Sequence, residues 1–176
     1  NICNYSVGGN MIHAITVLDD IFTNEYLSDF LDRAIYDHAD GAKWTYINKP
    51  ELFTKSLINV ASKYYDTSKI VGYETWMHNN TRPEGDIGDG WHYDRDELSY
   101  HVRKIFRFPI FSAIFYLKIE NLKGGRLLVE GEKITPKENR LVIFGPGCKH
   151  AVEEFSGDRI SITVNPWNRK LEQYTL

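Results

Sequence analysis

The sequence predicts an α+β fold, mainly β: a small barrel or jelly-roll buttressed by two helices near the N-terminus. Two segments with apolar residues every three to four positions stand together ahead of Lys69. About eight short β-rich runs follow, separated by turns rich in Gly and Pro. No repeat or low-complexity linker divides the 176 residues, a length that suits one domain better than two. The domain is expected over 11–168, with 1–10 as an N-terminal extension.

Taken in order, Ile12 to Leu18 is a short β-rich run that ends at Asp19-Asp20, a strand and a turn. Thr23 is placed to cap a helix whose apolar residues are Tyr26, Leu27, Phe30, Leu31, Ala34 and Ile35, and Gly41 stops it. Pro50, suited to a first helical turn, opens a second helix through Leu52, Phe53, Leu57, Val60, Ala61 and Tyr64. Both helices read as support, with apolar faces that need a sheet to cover. From Lys69 the pattern changes. Ile70 to Met77 is a strand, and Asn79 to Gly90 a polar loop. An acidic and basic stretch runs to Pro109, its cluster Arg103-Lys104 with Arg107 reading as a solvated face. Further strands fall at Ile110–Leu117, Arg126–Val129, Glu132–Thr135, Arg140–Phe144, Lys149–Val152 and Arg159–Val164.

Composition narrows the function. A net charge of -3 gives no sign of nucleic acid or membrane as a partner. No apolar run is long enough to span a bilayer, and no secretory signal pattern is visible. Two cysteines, Cys3 and Cys148, cannot make a disulfide framework, so a reducing, cytoplasmic setting is expected.

The chemistry centres on Gly90-Trp91-His92-Tyr93-Asp94. On an extended strand His92 and Asp94 would project to the same side, offering an imidazole and a carboxylate. These are two parts of the 2-His-1-carboxylate triad that leaves positions open on ferrous iron. His13 and His38 lie in the supporting region and read as ordinary; His78 and His101 flank loops. His150 differs, because it follows the Gly145-Pro146-Gly147 turn and should stand at a strand mouth, where a jelly-roll can bring it beside His92 and Asp94. In the last strand Arg159, Ser161 and Thr163 share one face, while Ile160, Ile162 and Val164 share the other. A guanidinium facing a barrel interior needs a partner. A dicarboxylate co-substrate would serve, and so would Glu153 or Glu154.

With these residues in view the chain resembles the 2-oxoglutarate and Fe(II)-dependent dioxygenases, prolyl-4-hydroxylase-like branch. The resemblance runs from about Ile70 to Trp167, and more loosely back to Met11. Trp91-His92-Tyr93-Asp94, Phe115-Tyr116-Leu117, Gly124-Gly125-Arg126-Leu127, Ile134-Thr135-Pro136-Lys137 leading to Arg140–Phe144, His150 and Gly157-Asp158-Arg159 carry it, in that order. It implies a double-stranded β-helix, a jelly-roll or cupin-like barrel, with iron held by His92, Asp94 and His150. It further implies that Arg159 meets the distal carboxylate of 2-oxoglutarate, with Tyr116, Ser161 and Thr163 as helpers. The cofactors implied are Fe(II), 2-oxoglutarate and O2, with ascorbate as an accessory reductant.

The implied reaction inserts one oxygen atom into a substrate C–H bond and releases succinate and CO2. Asp94 favours hydroxylation, since related halogenases carry a small residue in its place. Trp76, Trp91, Tyr93 and Arg95 flank the ligand segment and are the candidate substrate contacts. The expected substrate is a peptide or protein residue, with a free amino acid or small metabolite as the alternative. Nucleic acid is disfavoured for want of a basic stripe interleaved with aromatics. Relatives often carry a Tyr-x-x-Gly segment just before His-x-Asp, where this chain has Asn79 to Gly90, so no substrate contact is carried over to that stretch. Two other classes stay open: a cupin-like metal protein that does not use 2-oxoglutarate, and a catalytically silent binding module.

Overall fold

Alternation along three neighbouring strands builds the molecule. The computed structural model describes residues 2–3, 15–37, 42–49, 51–86 and 89–174. Strands are β1 (Ile2–Cys3), β2 (Ile15–Asp19), β3 (Lys43–Tyr46), β4 (Gly72–Asp86), β5 (Ser112–Gly124), β6 (Leu127–Val129), β7 (Glu132–Ile134), β8 (Arg140–Phe144), β9 (His150–Val152) and β10 (Phe155–Trp167). Helices are α1 (Asn24–Asp37), α2 (Leu52–Ala61) and α3 (Glu97–Arg103). The major sheet has the order β1-β2-β8-β5-β10-β4-β3 and the minor sheet β7-β6-β9. All their pairings are antiparallel. This is the double-stranded β-helix expected.

The major sheet is covered on both faces. Phe115, Leu117, Leu141, Ile143, Ile160, Ile162 and Val164 point outward and pack with Leu27 of α1 and Phe53, Leu57, Ile58 and Ala61 of α2. Phe30 stacks on Phe53 with ring centroids 3.9 Å apart, and both Phe22 and Phe53 meet Phe115 edge-on. The intervening residues Ile114, Tyr116, Val142 and Phe144 point the other way, to meet Leu127, Val129 and Val152 of the minor sheet. On β10 the inward residues are Arg159, Ser161, Thr163 and Asn165, all buried. A polar row therefore lies inside a largely apolar sandwich. Such a row has to be compensated or used.

The expected cap at Thr23 is present: the backbone N–H of Tyr26 donates to Thr23 Oγ1 at 3.3 Å. The glycine pair also has a physical reason. Gly124 and Gly125 have φ of 76° and 72°, and a Cβ on Gly124 would run into the Glu154 carbonyl oxygen. Only glycine tolerates both the left-handed backbone and that approach.

Several expectations need correction. Asn79 to Asp86 is not loop but the second half of β4, paired to β10 from Ile160↔Asn79 to Phe155↔Asp86. The long partner strand overrides the turn-like composition of Arg82-Pro83-Glu84-Gly85. The stretch after Arg95 contains α3, capped by Asp96 accepting from the Ser99 N–H at 3.0 Å. Strand β3 was not anticipated. Arg103 and Arg107 are not simply solvated: both donate to Glu172 Oε1, at 2.7 and 2.8 Å, and tie the C-terminal turn Glu172–Tyr174 to α3 and the segment after it. Ile12 to Ala14, the readings of His13 and His38, the Gly41 stop and the Pro50 start lie outside the described residues.

One ion pair links the β2–β8 edge. Asp19 accepts from Arg140 Nε and Nη2 at 2.6 and 2.9 Å, and the guanidinium holds its carboxyl down at about 2. A depressed carboxylate pKa adds stability above its unfolded value near 4, lost as pH falls through about 2. The side chain is 37% exposed, so solvent screening limits the effect to about 1 kcal/mol or less. Asp19→Asn should lower Tm by no more than about 2–4 °C at pH 7. In thermal scans the gap to wild type should close between pH 4 and 2.

Candidate active site

His92 and His150 are joined through their backbones. Each donates its N–H to the other's carbonyl, at 2.9 and 3.0 Å, an isolated antiparallel bridge that continues the minor sheet by one residue. The rings lie 4.2 Å apart. Asp94 follows in an irregular segment, so the extended strand expected for His92 and Asp94 is absent. The bridge, not strand alternation, places His92 beside His150. Asp94 Oδ2 accepts from Ser112 Oγ at 2.7 Å, which fixes the carboxylate from the first residue of β5. Its Oδ1 lies 3.7 Å from His150 Nε2.

The two imidazoles are oriented in the same way. His92 Nδ1 lies 2.7 Å from the Gly90 carbonyl oxygen, and His150 Nδ1 lies 3.1 Å from that of Cys148. A carbonyl only accepts, so each Nδ1 carries the proton and each Nε2 presents a lone pair. Burial pushes the His150 pKa below its usual value, favouring the neutral ring that a metal requires. One ligand atom from each of His92, Asp94 and His150 lies within 4.8 Å of the others. Cys148 stays out of this chemistry: burial pushes its thiol up to about 12.

Beside these three side chains opens a cavity of about 270 Å³, lined also by Trp76, His78, Ile114, Leu127, Arg159 and Thr163. Arg159 is 2% exposed, its Nη2 donates to Ser161 Oγ at 3.4 Å, and its guanidinium carbon lies 5.5 Å from the Tyr116 and Phe155 ring centroids. Glu153, considered above as a protein partner, is held by Arg126 at 2.6 and 2.9 Å. Tyr116 is wholly buried, and its hydroxyl has no hydrogen-bond partner among the described residues. Burial pushes the phenol pKa up, so it remains a donor. A buried donor without a partner beside a buried guanidinium fits a carboxylate ligand at that spot. The donor set and the cavity thus suit a metal and a dicarboxylate together.

A second, more open cavity of about 510 Å³ shares Trp76, His78, His92 and Asp94 with the first. Tyr93 and Arg95 line it. Arg95 donates to Glu97 Oε1 at 3.0 Å and sits 3.6 Å over the Tyr100 ring. Trp91 is 52% exposed and lines neither cavity. Sequence reasoning missed His78, whose Nε2 accepts from Trp76 Nε1 at 2.8 Å, and missed Ser112, Glu74 and Asn165. Glu74 and His78 were within reach: they alternate with Trp76 along β4, as Asn165 does with Thr163 along β10. Ser112 supports Asp94 from outside the ligand set, and loss of such partners typically costs 10–100-fold in metal affinity. Ser112→Ala is expected to weaken metal binding within that range in a Mn(II) titration, leaving the fold intact by circular dichroism.

Two imidazoles and one carboxylate on a double-stranded β-helix, opening on a cavity that ends in a buried guanidinium, define a mononuclear non-haem iron oxygenase. The family model of the 2OG-Fe(II) oxygenase superfamily matches residues 78–167, just over half of the chain. The chain belongs to that superfamily and is a 2-oxoglutarate-dependent dioxygenase, with Fe(II), 2-oxoglutarate and O2 as its cofactors.

Solved structures agree on the fold. A Pseudomonas putida prolyl-4-hydroxylase superposes with a TM-score of 0.61 at 17% identity, covering 89% of this chain and 86% of that one. A Trichoplax adhaerens prolyl hydroxylase in complex with a hypoxia inducible factor peptide fragment gives 0.57 at 13%, over 92% and 87%. NgTET1 in complex with 5mC DNA gives 0.55 at 12%, over 87% and 71%. Comparison with curated proteins gives no match.

Proposed function

We propose that this dioxygenase hydroxylates a C–H bond of a peptidyl residue, in the manner of the prolyl hydroxylases its fold resembles. The observation that carries the reading is a cavity lined by His92, Asp94, His150 and Arg159, next to a more open one that shares His92 and Asp94 with it. In this reading His92, Asp94 and His150 hold iron. Arg159, with Tyr116, Ser161 and Thr163, receives the far carboxylate of 2-oxoglutarate. Together Fe(II), 2-oxoglutarate and O2 supply the oxidation, which gives succinate and CO2 and places one oxygen atom in the substrate. The protein's part is orientation and exclusion of water: Ile114, Leu127 and Val152 keep the inner cavity partly apolar. Trp76, Tyr93 and Arg95 border the route by which substrate enters, with Trp91 outside it.

A peptide substrate is supported by the open outer cavity and by the peptide complex of the Trichoplax structure. A single domain over 11–168, ascorbate as accessory reductant and a cytoplasmic setting belong to the same reading. Among the described residues no helix is long and apolar enough to cross a membrane.

The test loads the full chain with Fe(II) anaerobically, adds 2-oxoglutarate, admits O2 and measures succinate. Wild type should produce succinate above the His92→Ala background; equal traces from fully loaded protein would count against an active enzyme. Peptide libraries read for the mass of one added oxygen atom then test the substrate class, with free amino acids as the comparison.

A further inference from the structure

The inward row of the major sheet changes sign along its length. Arg159 stands at one end of it. Six residues further along β10, about 20 Å at the usual strand rise, Asn165 lies directly opposite Glu74 of β4. Both side chains line the outer cavity. We propose that this end of the cavity is a subsite for a cationic group of the prime substrate, an ammonium or guanidinium received by Glu74 and Asn165. The proposal rests on the oxygenase reading of the site and narrows it to substrates that carry such a group, a peptidyl lysine or arginine among them. A prolyl ring carries none.

Glu74 is 8% exposed, and among the described residues the hydrogen bonds to its carboxylate come from neutral groups. Gln173 Nε2 and Tyr174 Oη both donate to Oε1 at 2.8 Å, leaving Oε2 available. No Lys or Arg pairs with it among the described residues. Asn165 is 1% exposed, and its Oδ1 has no hydrogen-bond partner among the described residues. Glu74 thus keeps a nearly buried carboxylate without a cationic partner among the described residues, and such a charge is costly unless a ligand brings the counter-charge.

The rest of the lining points the same way. Among the described residues Arg95 is the single Lys or Arg on the outer cavity's wall, and it is engaged by Glu97. Glu74 and Glu97 outnumber Arg95 there even with Asp94 given to the metal, and Asp96 adds to the field at Glu74 independently of it. Burial and these neighbours push the Glu74 carboxyl up, which is the cost a bound cation would relieve. Trp76 and Tyr93 offer aromatic faces to such a group. The position of Glu74 is itself secured: Arg103 and Arg107 hold Glu172, and the turn so fixed carries Gln173 and Tyr174. With opposite charges at its two ends, the space would take a dicarboxylate at Arg159 and refuse it at Glu74.

The test uses the full chain with Mn(II) in place of Fe(II), saturated with 2-oxoglutarate, and reads binding by calorimetry. The probes are N-acetyl-lysine amide and N-acetyl-arginine amide, with the norleucine and citrulline analogues as uncharged matches. At least one cationic probe should bind and its uncharged match should not. Glu74→Gln should weaken that binding about tenfold or more while leaving 2-oxoglutarate binding unchanged. Failure of both cationic probes, equal binding of the uncharged matches, or indifference to Glu74→Gln would each overturn the proposal, with the oxygenase reading intact as long as 2-oxoglutarate binds. Should 2-oxoglutarate itself not bind, both readings fall. If Glu74→Gln does not fold, Asn165→Leu decides: weaker binding of the cationic probe supports the subsite, and unchanged binding overturns it.

Discussion

Arg159→Ala is expected to abolish 2-oxoglutarate turnover while the protein stays folded. Removing one partner of a buried, hydrogen-bonded charge pair costs about 2–5 kcal/mol, a weakening of roughly thirtyfold to several thousandfold in affinity. Arg159 is 2% exposed, between the Ser161 hydroxyl and two aromatic rings. Truncation leaves a void that costs some stability, so folding of the variant is checked by circular dichroism. The clearest readout is the thermal shift with added 2-oxoglutarate. At about a hundred times its Kd a ligand stabilises by about 2.7 kcal/mol, or roughly 5–10 °C for a chain of this length. Wild type loaded with Mn(II) should show that shift and Arg159→Ala should not. Arg159→Lys should retain part of it, since lysine keeps the charge and loses the planar fork. The same variant separates an oxygenase from a cupin-like metal protein. In the second case metal-dependent activity would be largely unaffected, and the proposed role of Arg159 would be wrong.

His150→Ala should remove the metal site, with a loss in Mn(II) or Fe(II) affinity beyond the 10–100-fold typical of supporting residues, and succinate production at background. His150 is the deepest of the three ligands, at 4% exposure with the Phe144 ring 4.9 Å away, so the deletion also leaves a void. Truncating a large buried side chain usually costs about 2–5 kcal/mol. His150→Gln retains most of the volume and therefore serves as the control. If that variant folds like wild type and still binds metal with wild-type affinity, the assignment of His150 as a ligand fails.

Parts of this architecture are readable from the chain because local pattern and tertiary environment agree. Strand β10 alternates polar and apolar strictly from Arg159 to Val164, and the two sets do separate, one into the cavity and one against α1 and α2. Phe53, Leu57 and Ala61 fall on one helical stripe and find the sheet that such a stripe needs. The second half of β4 is different. Pro83 and Gly85 argue for a turn, and only the length of β10 beside them makes a strand; no local signal carries that information. His92 and Asp94 are readable as a pair of donors, but a backbone bridge to His150 places the first and the Ser112 hydroxyl holds the second, and neither contact is local. Alternation puts Glu74 and Asn165 on the inward faces of their strands, but that they stand opposite each other is not legible, because cross-strand register is not written in either strand alone. Arg103 and Arg107 likewise look solvated until the C-terminal turn folds back on them.

The backbone bridge between His92 and His150 has one more consequence. The spacing of these two positions is set by main-chain hydrogen bonds, which do not depend on the side chains they carry. Either histidine can be exchanged for another donor, a carboxylate or a thiolate, without disturbing where that donor begins. The scaffold thus separates the placement of ligands from their identity. Metal preference then rests on the three side chains more than on the backbone that sets their spacing.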